Sequence, residues 1–345
     1  MTRLRVLLPL LLTLTACNLP VNQPTPIAST PTERPAAVST QTPTPWPTPP
    51  PDAPLGTDEN PIVLSILPSS GGEISDAARD VAAQLSHLTG LVIVPYAPAS
   101  YAEVVKALGE GRIHIGFLAP FPYLLAHKKG YADAALVTTV FGRDLSAAQF
   151  IVNREMVTNR TFTLYFDPAT GANLADASTA LKQFADKKPC WTDPYSATGY
   201  VVPLGTLNEI GVQTKLGAFV QGHVTVIKSL YADPEGRICQ FGAAIADQQV
   251  FVATGYEDAA ERVVVVWRTE PIVPFDGIAY ASSLPDEMRV SLSAAFLSMT
   301  RTEEGSAALR DTFQIDGLKL VDDTFYDVLR RFLDESGLLL SDLVR

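Results

Sequence analysis

From residue 61 onward, apolar positions alternate between short continuous runs and stretches with helical spacing. The run 62–67 reads Ile-Val-Leu-Ser-Ile-Leu and stops at Pro68-Ser69-Ser70-Gly71-Gly72, which predicts a buried strand and a loop. In 76–88, Ala77, Val81, Ala82, Leu85 and Leu88 recur at helical spacing before Gly90. A second strand is predicted at 91–94. Ser100 and Glu103 form a capping-box pattern that opens a helix running to about Leu108, with Gly109 and Gly111 ending it. A third strand at 113–118 ends in Pro120. This alternation predicts a parallel sheet with helical crossovers.

The pattern then restarts. Strands are predicted at 150–153, 238–245 and 263–267, and helical segments at 180–184, 198–210 and 224–231. After Pro285 the chain is mostly helical, at 286–299, 303–313 and 323–335. No repeat of fixed period is visible. The expected architecture is α/β with two lobes, each a sheet flanked by helices, and 150–153 and 263–267 are candidate crossing strands between them.

The first sixty residues have another character. Arg3 and Arg5 precede an apolar run at 6–14, too short to span a bilayer, which ends in Leu14-Thr15-Ala16-Cys17. The combination predicts a signal peptide at 1–16 and a lipid on Cys17, the alternative being an ordinary secretory signal with an incidental cysteine. Residues 17–60 are rich in Pro and Thr and predict a disordered, solvated tether that builds no core. At roughly 3 Å per residue such a tether reaches about 120 Å when extended. No later apolar run is long and charge-free enough to cross a membrane.

The net charge of −11 argues against nucleic acid and against a polybasic membrane patch. It also means that an anionic ligand has to be held by local donors. No Cys/His cluster points to a metal and no Walker-type loop to a nucleotide, so no cofactor is expected. His87, His114 and His127 lack partners at ligand spacing and read as surface or core residues.

Three segments carry a family resemblance. They are Tyr101-Ala102-Glu103-Val104-Val105-Lys106-Ala107-Leu108 with Gly111-Arg112-Ile113-His114-Ile115-Gly116-Phe117-Leu118-Ala119-Pro120; Asp193-Pro194-Tyr195-Ser196-Ala197-Thr198-Gly199-Tyr200-Val201-Val202-Pro203 with Gly222-His223; and Thr269-Glu270-Pro271-Ile272-Val273-Pro274-Phe275-Asp276. In order and spacing they resemble the phosphate, phosphonate and phosphite-binding proteins of ABC importers, which have the type II periplasmic binding-protein fold.

The resemblance implies lobes of 61–148 with 268–345, and of 149–267, closing on a small phosphorus oxyanion. Tyr101 resembles the tyrosine that binds the oxyanion from the first lobe. Ser196 and Thr198 resemble hydroxyl donors at a helix N-terminus of the second, and His223 the histidine that closes on the same anion. Asp276 resembles a cleft-facing aspartate, and Asp247 falls where binders of amino-bearing ligands carry an acid. The implied partners are ABC permease and ATPase subunits, and the implied form is a monomer lipid-anchored at the outer face of the cytoplasmic membrane. The physics agrees: Ser-x-Thr-Gly before a helix offers hydroxyls, free N–H groups and a positive dipole end.

Two positions depart from the family pattern. Its central hydroxyl is Ala197 here, and a pocket tyrosine is replaced near Ser146. Cys190 and Cys239, an even pair in an extracytoplasmic setting, fall on strands that neighbour each other in the resembled fold, which implies a disulfide, the alternative being two buried free thiols. Two other readings stand beside this one. A sensor would couple the same fold to a membrane receptor. A hydrolase would use Ser196 and His223, but Ser196 lies outside a Gly-x-Ser-x-Gly elbow and no enzyme is expected.

Overall fold

A computed structural model describes residues 52–67 and 73–345. The signal segment, Cys17 and most of the Pro/Thr-rich stretch lie outside the described residues.

The strand Ile62–Ser65 is buried at every position, as a central strand covered on both faces must be. It pairs in parallel with Ile93–Tyr96 on one side and Ile115–Leu118 on the other. The three strands read from the sequence are parallel as expected, and the sheet becomes mixed on the far side of Ile115–Leu118. There Gly277–Ala281 inserts antiparallel between Ile115–Leu118 and Ala132–Thr139, and Gly317–Leu320 forms the edge. A strand returning from the distant second half of the chain is not bound by the helical-crossover rule that makes the first three parallel. The core of this sheet joins Leu64, Phe117 and Ile278 to Leu85, Phe296 and Leu309 on its helices. The fold begins ahead of residue 61, since Leu55 packs on this core and Val92 donates its N–H to the Gly56 carbonyl at 2.8 Å.

A second sheet has the order Ala218–Phe219, Pro189–Trp191, Phe241–Ile245, Ala148–Asn153, Val263–Arg268. Its core stacks Phe184 on Phe241 with ring centroids 4.2 Å apart, beside Phe150 and Val266. The strands around 150–153 and 263–267 do not cross between the sheets. They lie side by side and antiparallel within the second one. The crossing segments are the short pieces next to them: Leu145–Ser146 on the way out pairs with Val273–Pro274 on the way back. Their apolar neighbours read as more prominent because they are buried as central strands.

The last part of the chain touches elements of both sheets. Helix Asp327–Ser336 packs on helix Val202–Glu209, where a Cβ on Gly205 would stand 2.3 Å from the Phe332 carbonyl oxygen. Asn208 donates to the Glu335 carbonyl at 3.0 Å, and Arg331 pairs with Glu209 at 2.9 Å. The following turn, Leu340–Leu343, lies against helix Pro120–Lys128 beside the first sheet.

Cys190 and Cys239 are bonded, with Cα atoms 5.4 Å apart. Cys190 sits opposite Gly242 on adjacent parallel strands. Cys239 precedes its strand instead of lying within it, because the Ile238 N–H turns back to the Asp233 carboxylate.

Candidate ligand-binding site

Four helices begin around two cavities. They are Tyr101–Gly109, Pro120–Lys128, the π-helical turn Ala197–Val201 that runs on into Val202–Glu209, and His223–Ala232. Tyr101, Pro120 and Ala197 line a cavity of 290 Å³, whereas Asp193 and Gly222 line one of 510 Å³. Tyr195 and Arg345 line both, so the two spaces adjoin. Each helix start offers the positive end of a dipole, which favours anions, although Pro120 and Pro122 carry no N–H and the Ala102, Glu103 and Gly199 N–H groups are taken by the Arg345 main chain, Ser100 Oγ and Ser196 Oγ.

The Ser196 loop is held from within. Asp193 accepts the Tyr195 N–H at 2.9 Å, and its carbonyl accepts the Ser196 N–H at 3.3 Å. Ser196 Oγ accepts the Gly199 N–H at 3.0 Å, so it caps the turn. A capping hydroxyl that accepts keeps its own hydrogen for donation, so the cap and donor roles are compatible. Thr198 is buried inside the same turn. Gly199 is required by packing, because an added Cβ would meet Thr192 Oγ1 at 2.2 Å. The strand end before this loop is tied to the approach to His223: Gln221 donates its N–H to the Thr192 carbonyl at 2.7 Å.

His223 opens its helix and accepts the Ile245 N–H on Nδ1 at 3.0 Å. The neutral ring therefore carries its hydrogen on Nε2. Burial lowers its pKa, opposed by the charge of Asp193. Asp193 itself is raised by burial, with His223 acting against the rise.

Tyr101 caps nothing; its helix is capped by Ser100, whose Oγ accepts the Glu103 N–H at 3.2 Å. The reciprocal bond of the predicted capping box is displaced by one residue, since the Glu103 carboxylate accepts from the Ala99 N–H at 2.8 Å. Tyr101 instead donates its hydroxyl hydrogen to Asp276. Burial raises the Tyr101 phenol far above its usual range, and the Asp276 charge adds to the rise. Burial pushes the Asp276 carboxyl up to about 6, and the Tyr101 bond partly offsets it. Asp247, two residues beyond Ile245, accepts the Gln249 N–H at 2.8 Å on an exposed loop.

The two departures noted in the sequence have distinct outcomes. Ala197 lines the smaller cavity and offers no hydroxyl there. Ser146 lies buried in the crossing ribbon and donates to the Val273 carbonyl at 3.2 Å. His114 is a core residue: Nδ1 accepts the Val63 N–H at 3.0 Å, and burial lowers its pKa to about 4. Sequence reading missed three features of the cavities: the helix start at Pro120, Asp193 and Arg345. The Asp193-Pro194 pair was a legible turn signal for one of them.

Residues 64–326 match the family described as "ABC transporter, phosphonate, periplasmic substrate-binding protein". The chain belongs to this family. Among curated proteins, it is 26% identical over 152 residues to the phosphate-import protein PhnD of Mycolicibacterium smegmatis. That match covers 44% of this chain and 42% of PhnD, so it spans less than half the length of the relative. Solved structures share the fold of this phosphonate-type family member at low identity. XAC2383 from Xanthomonas citri bound to ATP is 14% identical, with a TM-score of 0.60 over 82% of this chain and 99% of that one. PhnD1 from Prochlorococcus marinus in complex with methylphosphonate is 14% identical, with a TM-score of 0.55 over 81% and 100%.

The fold is thus the periplasmic binding-protein fold, in a family of substrate-binding transporter components and not of enzymes. The geometry at His223 agrees. In a hydrolase triad a carboxylate orients the ring through Nδ1–H, whereas here Nδ1 accepts from a backbone N–H.

Proposed function

We propose that the chain is the extracytoplasmic, lipid-anchored solute-binding component of an ABC importer, and that it captures a phosphonate, phosphite or related phosphorus oxyanion. The observation that carries this reading is the set of four helix N-termini around adjoining cavities. A tetrahedral oxyanion needs several convergent donors, and on a chain of net charge −11 only such local donors attract it. Tyr101 approaches from one lobe, 61–148 with 268–345; Ser196, Thr198 and His223 approach from the other, 149–267.

The ligand donors act in different ways. Ser196 donates the hydrogen that its capping role leaves over. His223 donates Nε2–H as a neutral ring, so it adds a directed bond and no full charge. Asp276 accepts from Tyr101 and fixes the direction of that phenol. It also accepts a hydrogen from a protonated oxyanion or an ammonium, as does Asp247 where it faces the ligand. Contacts from both lobes favour a closed form that the permease and ATPase recognise, with Leu145–Ser146 and Val273–Pro274 as the hinge ribbon. Among the described residues no helix is long and apolar enough to cross a membrane, and the lipid on Cys17 supplies the anchor in this reading.

A thermal-shift screen of methylphosphonate, phosphite, hypophosphite and phosphate against the mature protein tests the reading. A ligand at about a hundred times its Kd adds about 2.7 kcal/mol of stability. The expected result is a rise in Tm with at least one of the four. No rise with any of them would contradict it.

A further inference from the structure

The larger cavity holds an acid. Asp193 lines it together with Gln221, Gly222 and Arg345. The acid is fixed in place: its Oδ1 accepts the Tyr195 N–H at 2.9 Å, and its main-chain carbonyl accepts the Ser196 N–H at 3.3 Å. The Thr192 carbonyl just before it accepts the Gln221 N–H at 2.7 Å, which ties it to the segment leading into His223. The His223 ring is close enough for the two groups to shift each other's pKa. Ser196, His223 Nε2 and the Arg345 guanidinium all donate hydrogen bonds, whereas an ionised carboxylate only accepts them. A fully deprotonated oxyanion also only accepts, so against Asp193 it brings two acceptors together with no hydrogen between them. An oxyanion that keeps one hydrogen fills that gap, donating P–OH to Asp193 while its other oxygens accept from the surrounding donors.

We propose that Asp193 is a specificity-determining residue of the cleft, whose carboxylate accepts the hydrogen of a monoprotonated phosphorus oxyanion and so excludes sulfonates and sulfate. The proposal rests on the oxyanion-binding reading above. A site that hydrogen-bonds a ligand hydroxyl rejects an analogue lacking it, because its own polar group is then left unpaired. Asp193 is half-buried, so the factor is roughly a hundredfold, below that of a fully enclosed site. The contrast does not depend on net charge. The methylphosphonate monoanion and methanesulfonate carry the same charge on the same tetrahedral shape, and the Arg345 guanidinium and His223 Nε2–H attract both alike. Only the phosphonate brings a hydrogen for Asp193. Phosphorus oxyacids lose that second hydrogen near neutral pH, so the same residue ties affinity to the protonation of the ligand.

The test is calorimetry of methylphosphonate and methanesulfonate on the wild type, Asp193→Asn and the Ser196→Ala/Thr198→Ala double variant. Asp193→Asn keeps an oxygen for the Tyr195 N–H and turns the acceptor-only group into one that also donates, and an unchanged Tm confirms an intact fold. The wild type is expected to prefer methylphosphonate by roughly a hundredfold, and Asp193→Asn to shrink that ratio by roughly tenfold or more. A pH series on the wild type reads the same property without a variant. Above the second ionisation of methylphosphonate its affinity should fall by roughly tenfold per pH unit, while that of methanesulfonate stays level. In that range His223 is neutral, Arg345 stays charged and Asp276 is above its pKa of about 6, so none of them imposes the slope. Equal affinities in the wild type, a ratio unchanged in Asp193→Asn, or a flat pH series would overturn the role of Asp193. If the double variant still loses methylphosphonate, the binding reading stands. Binding of neither ligand to the wild type would overturn both.

Discussion

The backbone N–H of Ile245 donates to Nδ1 of His223 at 3.0 Å. A proton added to that nitrogen would break the bond and charge a buried ring, and burial holds the pKa below the ordinary 6.5. His223 is therefore expected to stay neutral, with hydrogen on Nε2, at pH 7. Nitrogen-detected NMR of the imidazole checks this, and a doubly protonated ring at pH 7 would refute it. Because the native pKa is depressed, the unfolded chain takes up this proton first as pH falls below about 6.5. The neutral ring contributes stability above that pH and loses it on acidification.

Asp276 has the opposite sign. Its carboxyl is raised from 3.8 to about 6 by burial, so between those values the native state holds a proton that the unfolded state has released. Stability from this group is greatest below 3.8 and declines as pH rises through about 6. Asp276→Asn keeps an acceptor for Tyr101 and removes the charge. Urea unfolding at pH 8 should find this variant more stable than the wild type by about 1–3 kcal/mol, with the difference shrinking toward pH 4.

Gly199 and Thr192 are expected to couple. Gly199→Ala puts a methyl group 2.2 Å from Thr192 Oγ1 and should cost about 1–3 kcal/mol. Thr192→Ala removes the two nearest atoms, so the double variant should recover part of that loss. A double-mutant cycle from denaturant curves measures the coupling, and strict additivity would show that the loop relaxes some other way.

Replacing Cys190 and Cys239 by Ser opens a loop with a separation of 49 residues. The chain-entropy model gives a loss of about 4 kcal/mol for a loop of that size. The bridge pins the strand that leads into the Ser196 loop, so affinity for methylphosphonate should fall as well. Chemical unfolding and calorimetry on the same variant separate the two effects.

Much of this arrangement is legible before any coordinates. Helices 286–299 and 303–313 fall where their spacing and acidic first turns put them. The Ser196–Thr198 segment and the His223 segment both announce helix starts, and both open helices. The strands Ala132–Thr139, Gly277–Ala281 and Gly317–Leu320 escaped notice because Ala, Gly and Lys dilute the strand signal, and their pairing comes from segments far apart in sequence. Helix Pro120–Lys128 was hidden by Pro120 and Pro122, which read as breakers although the first helical turn tolerates proline. The Tyr101–Asp276 bond joins residues from the first and third family segments, and the position of Arg345 depends on the whole path of the chain. Neither leaves a local signal.

The central claim is that an oxyanion is held by the hydroxyls at the Ser196 helix start. Calorimetry of methylphosphonate on the wild type and on the Ser196→Ala, Thr198→Ala and double variants tests it most directly. Each single variant is expected to lose about 1.5–3 kcal/mol of binding free energy, the range for hydrogen bonds to charged groups, and the double variant more than either. A double variant that binds methylphosphonate as tightly as the wild type would contradict the account.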